Sequence, residues 1–149
     1  MVVYRYSLQR YISIWDIPHP MTPIDIILSR LDDDGTGVPI DLLSEYILGR
    51  IESGQDLVLE ISGVVFTVST EPKCPTVHMF SIGVGSSLLP ICRRFMRDVW
   101  SIIDHPWLIA PVKKRGLVRM MIRKLGWQWS GVVTSTGHYI LLARRPWRA

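Results

Sequence analysis

Two β-branched runs, Leu57–Ile61 and Val64–Val68, stand two residues apart across Ser62-Gly63. A two-residue loop matches the right-handed twist of its strands only in a primed turn, which needs positive φ and so favours glycine. This pattern fixes an antiparallel hairpin near the middle of the chain, and the remaining segments have to be arranged around it. The period before it is helical. Thr22 ahead of Pro23 is an N-cap with proline in the first turn, followed by Ile24, Ile27, Leu28 and Leu31 on one face. Asp41 is read as the cap of a second helix, Leu42 to Ile51, carrying Leu42, Leu43, Tyr46, Ile47 and Ile51.

Beyond the hairpin, Thr76 to Ile82 reads as a third strand and Leu88 to Ile103 as a long helix with Leu89, Cys92, Phe95, Met96, Val99, Trp100 and Ile103 inward. Trp107 to Val112 is a short buried strand. A helix from Arg115 to Leu125 places Val118, Met121, Ile122 and Leu125 on one side and Arg115, Arg119 and Arg123 on the other, and Gly126 stops it. Two closing strands, from Trp127 to Val133 and from Tyr139 to Ala143, flank Ser135-Thr136-Gly137. With a strand and turn expected within residues 1–20, the order is an α/β (α+β) mixture in one domain spanning 1–149.

At 149 residues with 48% apolar side chains, the chain can bury a real core, which excludes a disordered or disulfide-built chain. No apolar run approaches the ~18 residues of a membrane-spanning helix. Arg5 and Arg10 interrupt the apolar N-terminus and no small-residue cleavage site follows, so no secretory signal is read. Cys74 and Cys92 are then expected as reduced thiols in a cytoplasmic protein. They lack close His or Cys partners, so no metal site is expected, and Asp32-Asp33-Asp34-Gly35 fails as a calcium loop because Leu43 stands where a bidentate glutamate is needed.

Charge divides the chain. Residues 1–92 hold five basic and eleven acidic side chains, net −6, and residues 93–149 hold twelve basic and two acidic, net +10. A basic half implies an anionic partner: a phosphorylated cofactor, a nucleic acid or an acidic protein surface. Nucleic acid ranks last, since no helix-turn-helix, zinc-finger or RNP-like pattern accompanies the charge. The tail Arg144-Arg145-Pro146-Trp147-Arg148 reads as a basic, aromatic end suited to docking.

The segment richest in chemistry is Phe80-Ser81-Ile82-Gly83-Val84-Gly85-Ser86-Ser87-Leu88-Leu89, a strand that turns through glycines into a helix. Glycines admit an anion close to the backbone, and the first N–H groups of a helix form a pyrophosphate cradle without side-chain charge. In its setting, after a three-strand meander and before a helix ending in Leu125-Gly126-Trp127, it resembles the GNAT superfamily of acetyl-CoA-dependent N-acyltransferases. Gly83 and Gly85 take the family's glycine positions, Leu88-Leu89 its leucine pair, and Leu125-Gly126-Trp127 its terminal motif. Phe80 stands at the usual Gln or Arg position and Arg115 at that of a helix-capping asparagine. Ile122 stands at that of the tyrosine which protonates the departing CoA thiolate.

The resemblance implies a GNAT-like mixed central sheet, an antiparallel meander flanked by helices. It implies acetyl-CoA held at Ile82, Gly83, Val84, Gly85, Ser86 and Ser87 with Arg93 or Arg94 aiding its phosphates, and an amine as the acyl acceptor. On the meander strands the ionisable candidates for the base are Glu60 and His78, while His105 and His138, at turns, rank below them. The small, Trp-rich, basic-ended chain also looks like head-assembly proteins of short-tailed phages. A second expectation is therefore a non-catalytic GNAT-like virion or assembly component with phage structural proteins as partners.

Overall fold

The computed structural model describes residues 2–4, 22–31, 38–69, 73–81 and 88–147. In chain order these form β1 (Val2–Tyr4), α1 (Pro23–Ser29), α2 (Ile40–Glu52), β2 (Asp56–Ile61), β3 (Val64–Ser69), β4 (Val77–Phe80) and α3 (Leu88–Asp98). There follow a 3-10 turn (Val99–Ser101), β5 (Trp107–Val112), α4 (Arg115–Lys124), β6 (Gln128–Val133) and β7 (Tyr139–Arg144). The N-terminal strand is seen as Val2–Tyr4 alone, and the rest of that expectation and the acidic loop at Asp32 lie outside the described residues.

Two sheets form: an antiparallel β1-β2-β3-β4 meander and a β5-β7-β6 unit. The hairpin closes as expected, with Ile61 opposite Val64 and positive φ at both Ser62 (49°) and Gly63 (81°), the primed geometry. Alternation then sends Leu59, Ile61, Val64, Phe66 and Val68 to one face, where they join α3, α4 and the second sheet in the main core; Phe66 stacks on Phe95 with centroids 4.1 Å apart. Val58 and Val65 face the other way and are covered by Ile26, Ile27 and Leu31 around α1 and Ile51 of α2. Covered on both sides, β3 is buried nearly throughout, and Thr67 is the sole buried polar residue among those described.

Local chemistry explains the helix ends. Thr22 and Asp25 form a reciprocal capping box, with the Asp25 N–H donating to Thr22 Oγ1 (3.3 Å) and the Thr22 N–H to Asp25 Oδ2 (3.0 Å). The second helix departs from expectation: Pro39 is its N-cap without a side-chain bond, and Asp41 lies inside the first turn, where it meets the helix dipole instead of capping. Leu42 and Tyr46 of α2 point to solvent at 59% and 61% exposure, leaving Leu43, Ile47 and Ile51 as the packed stripe.

The long helix also ends early, tightening into the 3-10 turn at Val99 while Trp100 and Ile103 stay buried. Arg145, read from sequence as part of a docking tail, turns inward instead: its guanidinium donates to the carbonyls of Trp100 (2.7 Å) and Ile103 and lies over the Trp100 ring. In α4 the packed residues are Val118 and Met121, whereas Ile122, expected inward, is 40% exposed. Gly126, at φ 78°, turns the chain so that the Trp127 N–H reaches the Met121 carbonyl (3.1 Å) and the indole is buried, which gives Leu125-Gly126-Trp127 its structural purpose. Strand β6 is exposed along its length and carries a bulge between Trp129 and Val133.

Candidate active site

The two sheets meet at one point. Thr76 and Ile109 form an isolated parallel bridge, with the Ile109 N–H donating to the Pro75 carbonyl at 2.9 Å. From there β4 and β5 run in the same direction, β4 paired with β3 and β5 with β7. No ladder joins their facing edges beyond the bridge among the described residues. Over this divergence lies a cavity of about 610 Å³, lined among others by His78 of β4, Pro111 of β5, Lys113 and Lys114 beyond it, Met121 of α4, and His138.

His78 is opposite Thr67 of β3, and alternation places both on the α1/α2 side of the sheet with Val65. Glu60 is opposite Val65, on the same face but two strands from β4 and outside the cavity lining. The fold therefore brings His78 to the cavity and leaves Glu60 apart from it. The cradle residues Ile82, Gly83, Val84, Gly85, Ser86 and Ser87 lie outside the described residues, between Phe80 at the end of β4 and Leu88 at the start of α3. Arg93 and Arg94 are exposed on α3, and Arg94 faces Asp98 at 3.8 Å. Arg97, hydrogen-bonded to Asp98 at 3.1 Å, holds that carboxyl below its ordinary range.

Other cavity groups are committed elsewhere. Arg50 makes a two-point contact with Asp56 (3.1 and 3.0 Å), donates to Ser69 (3.2 Å) and lies over Tyr46, so its charge is neutralised at the rim. Cys92 is buried with its Sγ 3.8 Å from the Met79 sulfur, and burial pushes its thiol up to about 11, which keeps it protonated and inert. Both cysteines are free thiols, as expected, and no cluster of three metal-ligating side chains exists among the described residues.

His138, ranked below His78 from the sequence, also lines the cavity. Its Nδ1 lies 2.7 Å from Thr136 Oγ1, which lies 2.9 Å from Thr134 Oγ1, and its own N–H donates to that same Thr134 oxygen at 3.1 Å. The signal was present as a two-residue rhythm, Thr134, Thr136, His138, which in the hairpin before β7 brings the three side chains together. His105, by contrast, accepts the Trp107 N–H at 3.1 Å and serves its turn.

No protein-family model and no curated protein matches the chain by sequence. In three dimensions it is similar to an acetyltransferase of the GNAT family from Listeria monocytogenes, at 17% identity and a TM-score of 0.57 over 97% of this chain and 94% of that one. It is also similar to a spermidine N-acetyltransferase chimera from Vibrio cholerae and hSSAT, at 9% identity and a TM-score of 0.54 over 95% and 92%. The chain has the GNAT fold. Within that fold, α4 turns Leu117 and Met121 toward the cavity, and Ile122, which stands at the tyrosine position of the resembling family, is exposed and does not line it. Among the described residues no helix is long and apolar enough to cross a membrane.

Proposed function

We propose that this chain is a single-domain N-acyltransferase that moves an acetyl group from acetyl-CoA to an amine. The observation that carries the reading is the divergence of β4 and β5 over a cavity that holds an imidazole. Two strand edges that face each other without a ladder retain backbone donors and acceptors, and an extended chain bearing amides, such as the pantetheine arm of CoA, can pair with them as an added strand would. The cavity of about 610 Å³ lies within the range of small-molecule sites. The residues fit such a donor: Lys113 and Lys114 line the cavity and Arg93 stands exposed on α3, giving positive charge for its phosphates.

In this reading His78 takes the proton that the amine loses, standing on the cavity wall where β4 leaves β5. Glu60, two strands away, lies outside the cavity lining. A non-catalytic assembly role, with phage structural proteins as partners and a place in the virion instead of the cytoplasm, is the second reading. It draws on the exposed apolar side chains of β6, Trp129, Val132 and Val133. Calorimetric titration of the purified protein with acetyl-CoA and CoA separates them. Micromolar binding abolished by Gly85→Trp supports the transferase, and absence of heat at millimolar CoA from a folded protein overturns it in favour of assembly.

A further inference from the structure

We infer that His138 is the proton donor to the departing thiol, taking the role that Ile122 leaves vacant. The inference rests on the transferase reading and adds a residue to it.

Three observations converge on this imidazole. First, it lines the same cavity as His78. Strand β7 begins at Tyr139 opposite Val112, so His138 stands beside the Lys113 end of β5, on the side of the divergence across from β4. Second, it is in phase with Ile140 and Leu142, opposite to the core residues Leu141 and Ala143, which puts it on the same side of the molecule as His78. The two histidines thus line the cavity from different sheets, His78 on β4 at the gap and His138 one strand beyond β5. Third, its ring is oriented. Thr136 holds Nδ1 at 2.7 Å, and Thr134 holds both the Thr136 hydroxyl and the His138 backbone. In the imidazolium form Nδ1–H donates to Thr136 Oγ1 and the Thr136 hydroxyl to Thr134 Oγ1, an assignment that leaves Nε2–H outside the threonine chain as the proton to give.

The reaction balances with these two groups. The amine nitrogen bonds to the thioester carbonyl carbon and gives up a proton to His78; the carbon–sulfur bond breaks, and the Nε2 proton of the His138 imidazolium passes to the sulfur and leaves a neutral ring, so the products are an N-acetyl amide and a CoA thiol. Solvent then returns the proton from His78 and reprotonates His138. Thr136 is a positioning residue, acting on the ring and not on the substrate. Lys113 and Lys114, the cations lining the cavity beside His138, face the phosphate-bearing donor and carry no role in the proton transfer.

The test pairs spectroscopy with kinetics. Nitrogen-15 spectra of the histidine-labelled protein are recorded with CoA and with desulfo-CoA, which lacks the thiol. The His138 Nε2 resonance is expected to move with CoA and to stay in place with desulfo-CoA; an equal response to both, or none, overturns the inference. Turnover of acetyl-CoA by His138→Ala and His138→Gln is expected to fall ~100-fold or more in kcat with KM nearly unchanged. With an aryl thioester donor, whose thiol leaves without a proton, the loss is expected to shrink to within about threefold. Thr136→Val is expected to lower kcat in between and to shift the Nε2 resonance of the free protein. Wild-type CoA binding and turnover that survive His138→Ala sink this inference alone, whereas failure of the wild-type protein to bind CoA sinks the transferase reading with it.

Discussion

Replacing Arg145 by alanine tests whether the basic tail is a structural strap. In the folded chain its guanidinium serves the Trp100 carbonyl at 2.7 Å and the Ile103 carbonyl, and its charge lies 5.7 Å from the Trp100 ring centre. These carbonyls sit at the C-terminal end of the α3 and 3-10 segment, where a cation is favoured and the peptide oxygens have no helical partner. Two charge-assisted bonds contribute about 1.5 kcal/mol each at the lower end, and the ring contact about 0.5 to 1 kcal/mol. Against this stands the Arg145 Nε, buried with no partner among the described residues, whose removal returns about 1 kcal/mol. The net loss is about 2.5 to 3 kcal/mol. In a chain of this size that lowers Tm by roughly 6 to 10 °C. Guanidinium unfolding of wild type, Arg145→Ala and Arg145→Lys measures it, with lysine expected between the two because an ammonium reaches one carbonyl without the planar fork. A loss below about 0.5 kcal/mol for Arg145→Ala would refute the strap and return the residue to the surface.

Other outcomes follow from single features. Gly126→Ala is expected to cost about 1 kcal/mol, measured by urea unfolding; a new Cβ there meets nothing within 4 Å, so the cost is that of φ 78° alone, and an unchanged midpoint contradicts it. Iodoacetamide on the native protein is expected to label half-exposed Cys74 and spare Cys92, whose thiol burial pushes up to about 11, with both labelled after unfolding; labelling of native Cys92 at a comparable rate argues against the packing. The Asp98 carboxyl, held low by Arg97, contributes stability above its unfolded value that fades as pH falls through the carboxylate range. Arg97→Ala is expected to remove that part of the acid-side slope, and identical slopes in both proteins show that the pair has no effect.

What the sequence made legible was local in origin. The hairpin was readable because Ser62-Gly63 admits one turn geometry and the flanking β-branched runs carry the period of a strand. Thr22-Pro23 and Leu125-Gly126 were readable because caps and stops are decided by a few adjacent residues. The misreadings depend on what lies across the fold. Ile122 has helical spacing with the core residues of α4, yet the core narrows there and leaves it at the rim. Arg145 follows another arginine in a tail, and nothing adjacent announces that the carbonyls of Trp100 and Ile103 are waiting for it some forty residues earlier. The candidate site divides the same way. His78 stood out as an ionisable side chain on a predicted strand, whereas His138 gains its position only when the second sheet swings away from the first. That divergence is set by where pairing ceases after Thr76 and Ile109, a tertiary event without a local signature.

The bulge in β6 has a consequence for how this molecule tolerates crowding. Its outermost strand bears Val132 and Val133 in the open, a combination that in a flat strand would recruit the edge of another sheet. Here the Trp129 indole N–H donates to the Val132 carbonyl at 3.2 Å, and the Val132 N–H donates to Ser130 Oγ at 3.2 Å, so both backbone polar groups of Val132 are consumed within the strand. At Val132 the edge is closed to templating by its own side chains. A copy or partner that approaches meets valine methyls and an indole face but finds no open ladder at Val132 to extend, which favours discrete contacts over fibrous growth.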